Sequence, residues 1–207
     1  KGGSKKRRAM NKAYKGGRKP PRTNWSQVGM DESDIVDNKV WQQMRVIEYF
    51  NQTPAIQFME PLVEADDVIG TLSFQAANEN INTLISTGDK DLAQLVNSRV
   101  TLMNTMTNEV LDEEGVLKKF GVKPDRIIDY LALVGDKSDN IPGVPGVGPK
   151  TAVKWLVEYN SMEEIIANAP AVGGKVGERL RENIEQLRLS YELATIKLDV
   201  DIEISLS

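Results

Sequence analysis

Residues 55–134 alternate between short apolar runs and stretches with helical spacing, and this alternation restricts the fold more than any other feature of the chain. Segments 55–59 and 83–87 read as strands, the second a buried one that ends at Gly88-Asp89. Residues 100–103 read as another strand, with Glu109–Leu111 as its hairpin partner. Helical patterns fall between them: 64–78, 89–96, 113–120 closed by Gly121, and 124–134 leading into Gly135-Asp136. Strands that alternate with helices predict an α/β domain with a mostly parallel sheet, because each crossover lays a helix on a sheet face. Upstream, residues 31–50 carry Val36, Val40, Trp41, Met44, Ile47 and Phe50 at helical spacing, which predicts an amphipathic helix. Residues 7–14 form a shorter helix candidate. Beyond Asn140 the pattern is all helical (150–159, 161–168 and 176–194), and the tail 198–206 alternates like an edge strand.

The chain holds no His and no Cys among its 207 residues. Catalytic triads with His, imidazole-bound zinc, disulfides and thiolate metal sites are therefore excluded. Any chemistry runs on carboxylates, Lys, Tyr, hydroxyls or a bound metal, and oxygen-only donors favour Mg²⁺ or Mn²⁺. No apolar run approaches the roughly 20 residues of a membrane helix. The basic N-terminus lacks the apolar stretch of a secretory signal, so the expectation is a soluble, cytoplasmic protein.

A net charge of −4 conceals a strong polarity. Lys1, Lys5, Lys6, Arg7, Arg8, Lys12, Lys15, Arg18, Lys19 and Arg22 crowd the first 22 residues, with no acidic residue among them. The remainder is correspondingly acidic. Such a distribution suits a protein that attracts a polyanion and also holds divalent cations.

Three acidic clusters fall at element boundaries: Glu64-Ala65-Asp66-Asp67, Asp89-Lys90-Asp91 and Asp136-Lys137-Ser138-Asp139. In an open α/β sheet, ligands collect beyond the carboxyl ends of the strands, where these clusters can meet. Crowded carboxylates repel unless cations neutralise them. Two Mg²⁺ ions would supply that charge and could cleave a phosphodiester with an activated water. Asn140-Ile-Pro-Gly-Val-Pro-Gly-Val-Gly-Pro-Lys-Thr-Ala152 reads as a hairpin between helices. Gly143, Gly146 and Gly148 allow close backbone approach, and Lys150 and Thr151 open a helix whose N-terminus faces an anion. The hairpin would grip a phosphate backbone without reading bases. In the basic segment, Lys15 and Arg18 could clamp a phosphate while Tyr14 stacks on a base.

VEADDVIGTL, LISTGDKDLAQLV, LMNTMTNEV, IIDYLALVGDKSDNIPGVPGVGPKTA and LSYELATIK, in this order, closely resemble the 5′-nuclease domain of bacterial DNA polymerase I and its stand-alone bacterial and phage relatives. The resemblance spans residues 1–200. It implies a structure-specific 5′-3′ exonuclease and flap endonuclease of replication or repair, with a PIN-like core, a helical arch and a helix–three-turn–helix region that binds duplex DNA. The expected organisation is a basic arch segment at 1–24, an α/β nuclease core at 25–139 and a helical DNA-binding region at 140–207. By the same resemblance Glu64 and Asp66 would serve a first metal, and Asp89, Asp91 and Asp139 a second. Asp67 and Asp136 match further acidic positions. Tyr14, Lys15 and Arg18 match arch residues at the scissile phosphate, Arg7 and Arg8 add to the DNA-binding face, and the hairpin would hold a K⁺ ion. The implied substrates are 5′-flap, nicked or branched DNA, in a bacterial cell or phage-infected host, alongside a polymerase domain or replication proteins.

The chain departs from that pattern at its start. Relatives open with a strand carrying Asp in a V-D-G-like string, followed by a second Asp in an F-D-x-K-G-like string. This sequence opens at Lys1-Gly2-Gly3, after the place of both. The expectation is an N-terminally truncated sequence, because the remaining motifs are intact. The alternative is a DNA-junction-binding relative impaired in catalysis.

Overall fold

The computed structural model describes residues 4–17 and 32–202, with the side chains of 32–37 and 39 outside that description. The chain packs as two compact units, Lys1–Gly17 with Pro61–Ser207, and Arg18–Glu60.

In the first unit, α1 (Lys5–Met10) runs into tight turns that end at Gly17. Helix α3 (Ala65–Asn78) opens at Glu64, with Asp66 and Asp67 in its first turn, where acidic groups suit the helix dipole. A three-stranded sheet follows in the order β1 (Thr83–Ser86), β2 (Val100–Asn104), β3 (Glu109–Leu111). β1 and β2 are parallel with Ile85 opposite Leu102, whereas β2 and β3 form an antiparallel hairpin with Met103 opposite Val110. The parallel pair is joined through a 3₁₀ turn, Lys90–Leu95. The sheet is α/β as expected, with one parallel and one antiparallel pairing among the described residues. The buried-strand reading of 83–87 holds for Ile85 alone, because Leu84 faces outward and is exposed.

Helix α4 (Glu113–Phe120) is capped at both ends, as its sequence dictates. Asp112 accepts from the Gly115 amide at 2.8 Å, and Gly121 takes the left-handed conformation that ends the helix. The turn Pro124–Arg126 leads into α5 (Ile127–Val134), the central helix of the core. It packs against α6 (Pro149–Tyr159) and α9 (Ile184–Ala194). Ile127, Leu131, Leu133, Leu187 and Leu193 are enclosed there, each worth about 1.5–3 kcal/mol relative to exposure. Helix α7 (Met162–Ala167) completes the group around α6.

Three expectations are corrected. The stretch 176–194 is two helices, α8 (Gly174–Glu182) and α9, interrupted at Asn183, whose side chain donates to the Arg179 carbonyl at 2.7 Å and so competes with helix continuation. Residues 55–59 form no strand: Ile56 and Met59 are exposed, and the segment pairs with no strand among the described residues. Residues 198–202 form no strand either, and 203–207 lie outside the described residues.

In the second unit, α2 (Glu32–Asn51) is the helix expected at 31–50. Its stripe Val40, Trp41, Met44, Ile47 and Phe50 is exposed, Trp41 to 61 %. Gln57 folds back onto its last turn, donating to Ile47 O at 3.0 Å and Asn51 Oδ1 at 2.6 Å. No helix among the described residues is long and apolar enough to cross a membrane.

Candidate acidic site and phosphate-binding hairpin

Burial reverses the expected role of Arg7. Its guanidinium, 5 % exposed, reaches across to the start of α3 and donates in parallel to Asp67, Nη2 to Oδ1 at 2.7 Å and Nη1 to Oδ2 at 2.9 Å. It also bonds Glu64 and the Thr195 carbonyl, the latter at 2.6 Å. Burial opposes its charge, but the bond to Asp67 and the charges of Asp67 and Glu64 together hold it firmly protonated. The paired fork geometry is the strongest form of ion pair. Asp67 Oδ1 also accepts from the Lys197 amide at 3.0 Å, so this carboxylate is consumed by the fold rather than offered to a metal. Arg7, expected on a DNA-binding face, is instead an internal tie between α1, α3 and the end of α9. Arg8 is exposed.

Tyr14 is 3 % exposed and belongs to the hydrophobic core, so it has no face free to stack on a base. Burial pushes its phenol up to about 12. Lys15 sits beside it in a left-handed backbone conformation, with Nζ 5.0 Å from the Tyr14 ring centre. Its amide donates to the Asp139 carbonyl at 2.8 Å, and its Nζ lies 2.9 Å from Glu64 Oε1 and 3.7 Å from Asp139 Oδ2. Lys15 thus joins the first acidic cluster to the third. Arg18 lies outside the described residues.

The second and third clusters are joined by Lys90, a residue that the sequence shows only as the spacer between Asp89 and Asp91. Lys90 Nζ lies 2.6 Å from Asp136 Oδ2. Asp136 Oδ1 accepts from Ser138 N at 2.6 Å and Ser138 Oγ at 2.5 Å, which shapes the turn that presents Asp139. Burial alone would raise the Asp136 pKa, but Lys90 and Ser138 bring it below the ordinary carboxylate value. Backbone bonds between Asp136 and Ile141, 2.8 Å in each direction, close the loop.

Asp66 and Asp91 are the carboxylates that burial and neighbouring charge push upward, with Asp89 as one of those neighbours. Asp89 caps the 3₁₀ turn, accepting from the Asp91 amide at 3.1 Å. Asp91 Oδ1 is buried with no hydrogen-bond partner. Burial first, then the charge of Asp89, pushes the Asp91 carboxyl up to about 7. Asp66 is likewise raised, by burial and then by Asp89, Glu64 and Asp67 against the pull of Lys15. Among the described residues no three of these groups form a ready cage for a metal ion. Internal cations hold Glu64, Asp67 and Asp136 instead. The donors are nevertheless hard oxygens in mutual repulsion, and the orphaned oxygen of Asp91 is a buried acceptor awaiting a donor or cation. A divalent ion fits that chemistry.

The hairpin divides into a buried half and an open half. Gly135 and Gly143 pack against each other with φ of 75° and 64°, and a Cβ on Gly143 would lie 2.6 Å from the Gly135 nitrogen. The Gly143 amide donates to Ser190 Oγ at 3.2 Å and its carbonyl accepts from Gln186 at 2.8 Å. Gly143 therefore closes the loop and is not free to meet a phosphate. Gly146 is exposed at φ 84° beside the Arg179 guanidinium, and Gly148 has open space where a Cβ would stand. Gly148 caps α6, Pro149 and Lys150 follow exposed, and Thr151 is half-buried. A helix N-terminus flanked by Lys150 and Arg179 is an anion-binding arrangement. Arg179 was missed in the sequence because it comes from α8, 33 positions beyond Gly146.

The architecture is an α/β unit with acidic residues at the start of α3 and after β1, followed by a helical module with an open glycine hairpin. The chain belongs to the 5′-3′ exonuclease family: its N-terminal resolvase-like domain model matches residues 1–121 and its C-terminal SAM-fold model residues 122–207. Among curated proteins, DNA polymerase I of Pseudomonas aeruginosa is 53% identical over 153 residues, covering 70% of this chain and 17% of that protein. The 5′-3′ exonuclease of Aquifex aeolicus is 44% identical over 164 residues, covering 79% of this chain and 56% of its own length. The 5′-3′ exonuclease of Buchnera aphidicola is 36% identical over 183 residues, covering 85% of this chain and 64% of its own length. The chain therefore spans less than two thirds of each of these relatives. Among solved structures, the phage T5 D15 protein crystallised with metal ions superposes with a TM-score of 0.78 at 23% identity, covering 96% of this chain and 72% of that one. A T5 D15 flap endonuclease variant in a pseudo-enzyme–product complex with DNA and metal ions gives 0.79 at 22% identity, covering 96% and 71%. At these identities the likeness establishes the fold.

Proposed function

We propose that the protein to which this chain belongs is a metal-dependent 5′ nuclease, acting as a 5′-3′ exonuclease and flap endonuclease on flapped, nicked or branched DNA in replication or repair. The observation that carries the reading is the buried, partnerless Asp91 Oδ1 among mutually repelling carboxylates, in a chain of the 5′-3′ exonuclease family. Asp89, Asp91 and Asp139 would hold one divalent ion such as Mg²⁺, and Glu64 and Asp66 would contribute to a second; the ions would supply charge neutralisation and an activated water. The chain's own groups supply the rest. Lys15, tied to both Glu64 and Asp139, stands where a phosphate oxygen would meet a cation between the clusters. Arg18 is proposed beside it on the sequence pattern alone. The open half of the hairpin, Gly146, Gly148, Lys150 and Thr151 with Arg179, would hold the phosphate backbone of the duplex, with a K⁺ ion in the same loop. A polymerase domain or replication proteins would be its partners, in the cytoplasm of a bacterial cell or phage-infected host.

Asp91→Asn in the full-length protein is expected to lower cleavage of a 5′-flap substrate in Mg²⁺ by at least about a hundredfold, while flap binding in EDTA persists. Unchanged cleavage would overturn the assignment.

A further inference from the structure

Lys90 is the one basic residue inside the second acidic cluster, and its surroundings give it a task of its own. Its side chain is 45 % exposed, whereas that of its partner Asp136 is 7 % exposed. The ammonium group therefore approaches the carboxylate from the solvent side, and can leave again. Asp136 is otherwise satisfied: its second oxygen serves Ser138. Lys90 stands between Asp89 and Asp91 in one 3₁₀ turn and reaches Asp136 at 2.6 Å, so its positive charge lies among the three carboxylates. The contrast with Arg7 is informative. Arg7 is enclosed and makes four hydrogen bonds within the fold, so it is fixed. Lys90 makes one ion pair at the rim.

We propose that Lys90 is an internal competitor for divalent cations: its ammonium, held on Asp136, neutralises the Asp89–Asp91 turn and sets the cation concentration at which these carboxylates take up an ion. The inference rests on the reading of Asp89 and Asp91 as metal donors and adds to it a residue that touches neither substrate nor ion. Lys90 acts only through charge. When a cation arrives, the repulsion that Lys90 relieves is relieved twice, and the lysine becomes the dispensable partner. The half-exposed rim position lets water solvate the ammonium as it leaves, and the arriving cation takes over its place beside Asp136.

The test is a titration of Mn²⁺ into the full-length protein without DNA, with free ion followed by electron paramagnetic resonance. Lys90→Met is expected to bind Mn²⁺ about fivefold more tightly than the parent, the size of a partly screened charge removed from the donor set. Lys90→Gln, equally uncharged, is expected to match it. Lys90→Arg keeps the charge and is expected to stay within about twofold of the parent. Raising KCl should narrow the gap between parent and Lys90→Met, because salt screens the lysine. A purely structural role for Lys90 would move all three variants alike and without salt dependence. Equal or weaker Mn²⁺ binding by both uncharged variants overturns the proposal. Absence of Mn²⁺ binding by the parent protein would instead overturn the metal reading beneath it.

Discussion

Glu64 and Asp67 meet a cation that is enclosed with them, whereas Asp136, equally enclosed, meets one that stands half in solvent. Arg7 is 5 % exposed, and Asp67 takes both of its terminal nitrogens at 2.7 and 2.9 Å. Lys90 reaches Asp136 at 2.6 Å, an equally short contact, from a side chain nearly half in solvent. The distances are alike and the consequences are not. In the interior an ion pair is costly to form and far more costly to break, because each partner is stranded if the other leaves. At the rim, water can take up the Lys90 ammonium when it leaves, although Asp136 stays enclosed. Asp67 of the first acidic cluster is therefore built into the fold, while Asp136 of the third is held by a cation that a mobile one can replace. The unpartnered Oδ1 of Asp91 falls on the second side of this division.

Removing the buried cation is the harshest way to break the comparison. Arg7→Met leaves Asp67 without its counter-ion beside Glu64, which keeps Lys15 alone, and frees the Thr195 carbonyl. The expected loss is about 3–5 kcal/mol in urea unfolding. The double variant Arg7→Met/Asp67→Leu should recover much of it, since replacing a buried pair with apolar groups is often neutral. A loss under about 1 kcal/mol for the single variant would mean that Arg7 is no deeper in the energetics than Lys90.

The next prediction concerns how the second side is held if not by its cation. The turn carrying Asp139 is secured by backbone packing, Gly135 on Gly143, and by the paired bonds of Asp136 and Ile141. Gly143→Ala would place a Cβ 2.6 Å from the Gly135 nitrogen at a φ of 64°. The left-handed conformation alone costs about 1–2 kcal/mol in a residue with a Cβ, and the contact is backbone, which cannot swing aside, so the expected loss is about 2–3 kcal/mol. Gly148→Ala, with open space around its Cβ, should stay within about 0.5 kcal/mol by the same measurement. If the two alanines behave alike, the division of the hairpin into a buried and an open half is wrong.

These contrasts explain what could and could not be read in the sequence. The elements were legible wherever local chemistry fixes them: Asp112 and Gly121 mark both ends of α4, and the 83–104 stretch announces a parallel strand pair through its β-branched residues and its Gly88-Asp89 stop. The acidic clusters were legible as clusters because each sits at an element boundary. What each carboxylate does was not legible, because that depends on which cation reaches it through space. Arg7 and Arg8 are adjacent and chemically identical, yet one is buried against Asp67, 60 positions away, and the other is exposed. Tyr14 in a basic run looked like a stacking residue, and only the core that forms around it shows otherwise. The apolar stripe of α2 was read correctly as a stripe, but its period carries no information about whether anything covers it. Residues 55–59 have strand composition without a strand partner, and pairing is a property of the sheet rather than the segment.

The smallest expected effect tests whether burial, rather than geometry, separates the two sides. Arg188 and Glu163 form a pair at 2.8 and 3.1 Å, two parallel bonds much like those of Arg7 and Asp67, but both side chains are about half exposed. If fork geometry were the source of strength, Arg188→Met would cost nearly as much as Arg7→Met. Desolvation predicts a smaller cost: both Arg188 and Glu163 keep most of their hydration when the partner is lost, and their order in the folded state costs side-chain entropy. Arg188→Met is therefore expected to lower stability by only about 0.2–1 kcal/mol, and less at high salt. The ratio between the two arginine variants is the informative number. A ratio near one would return the explanation to hydrogen-bond geometry and would leave the rim position of Lys90 without its meaning.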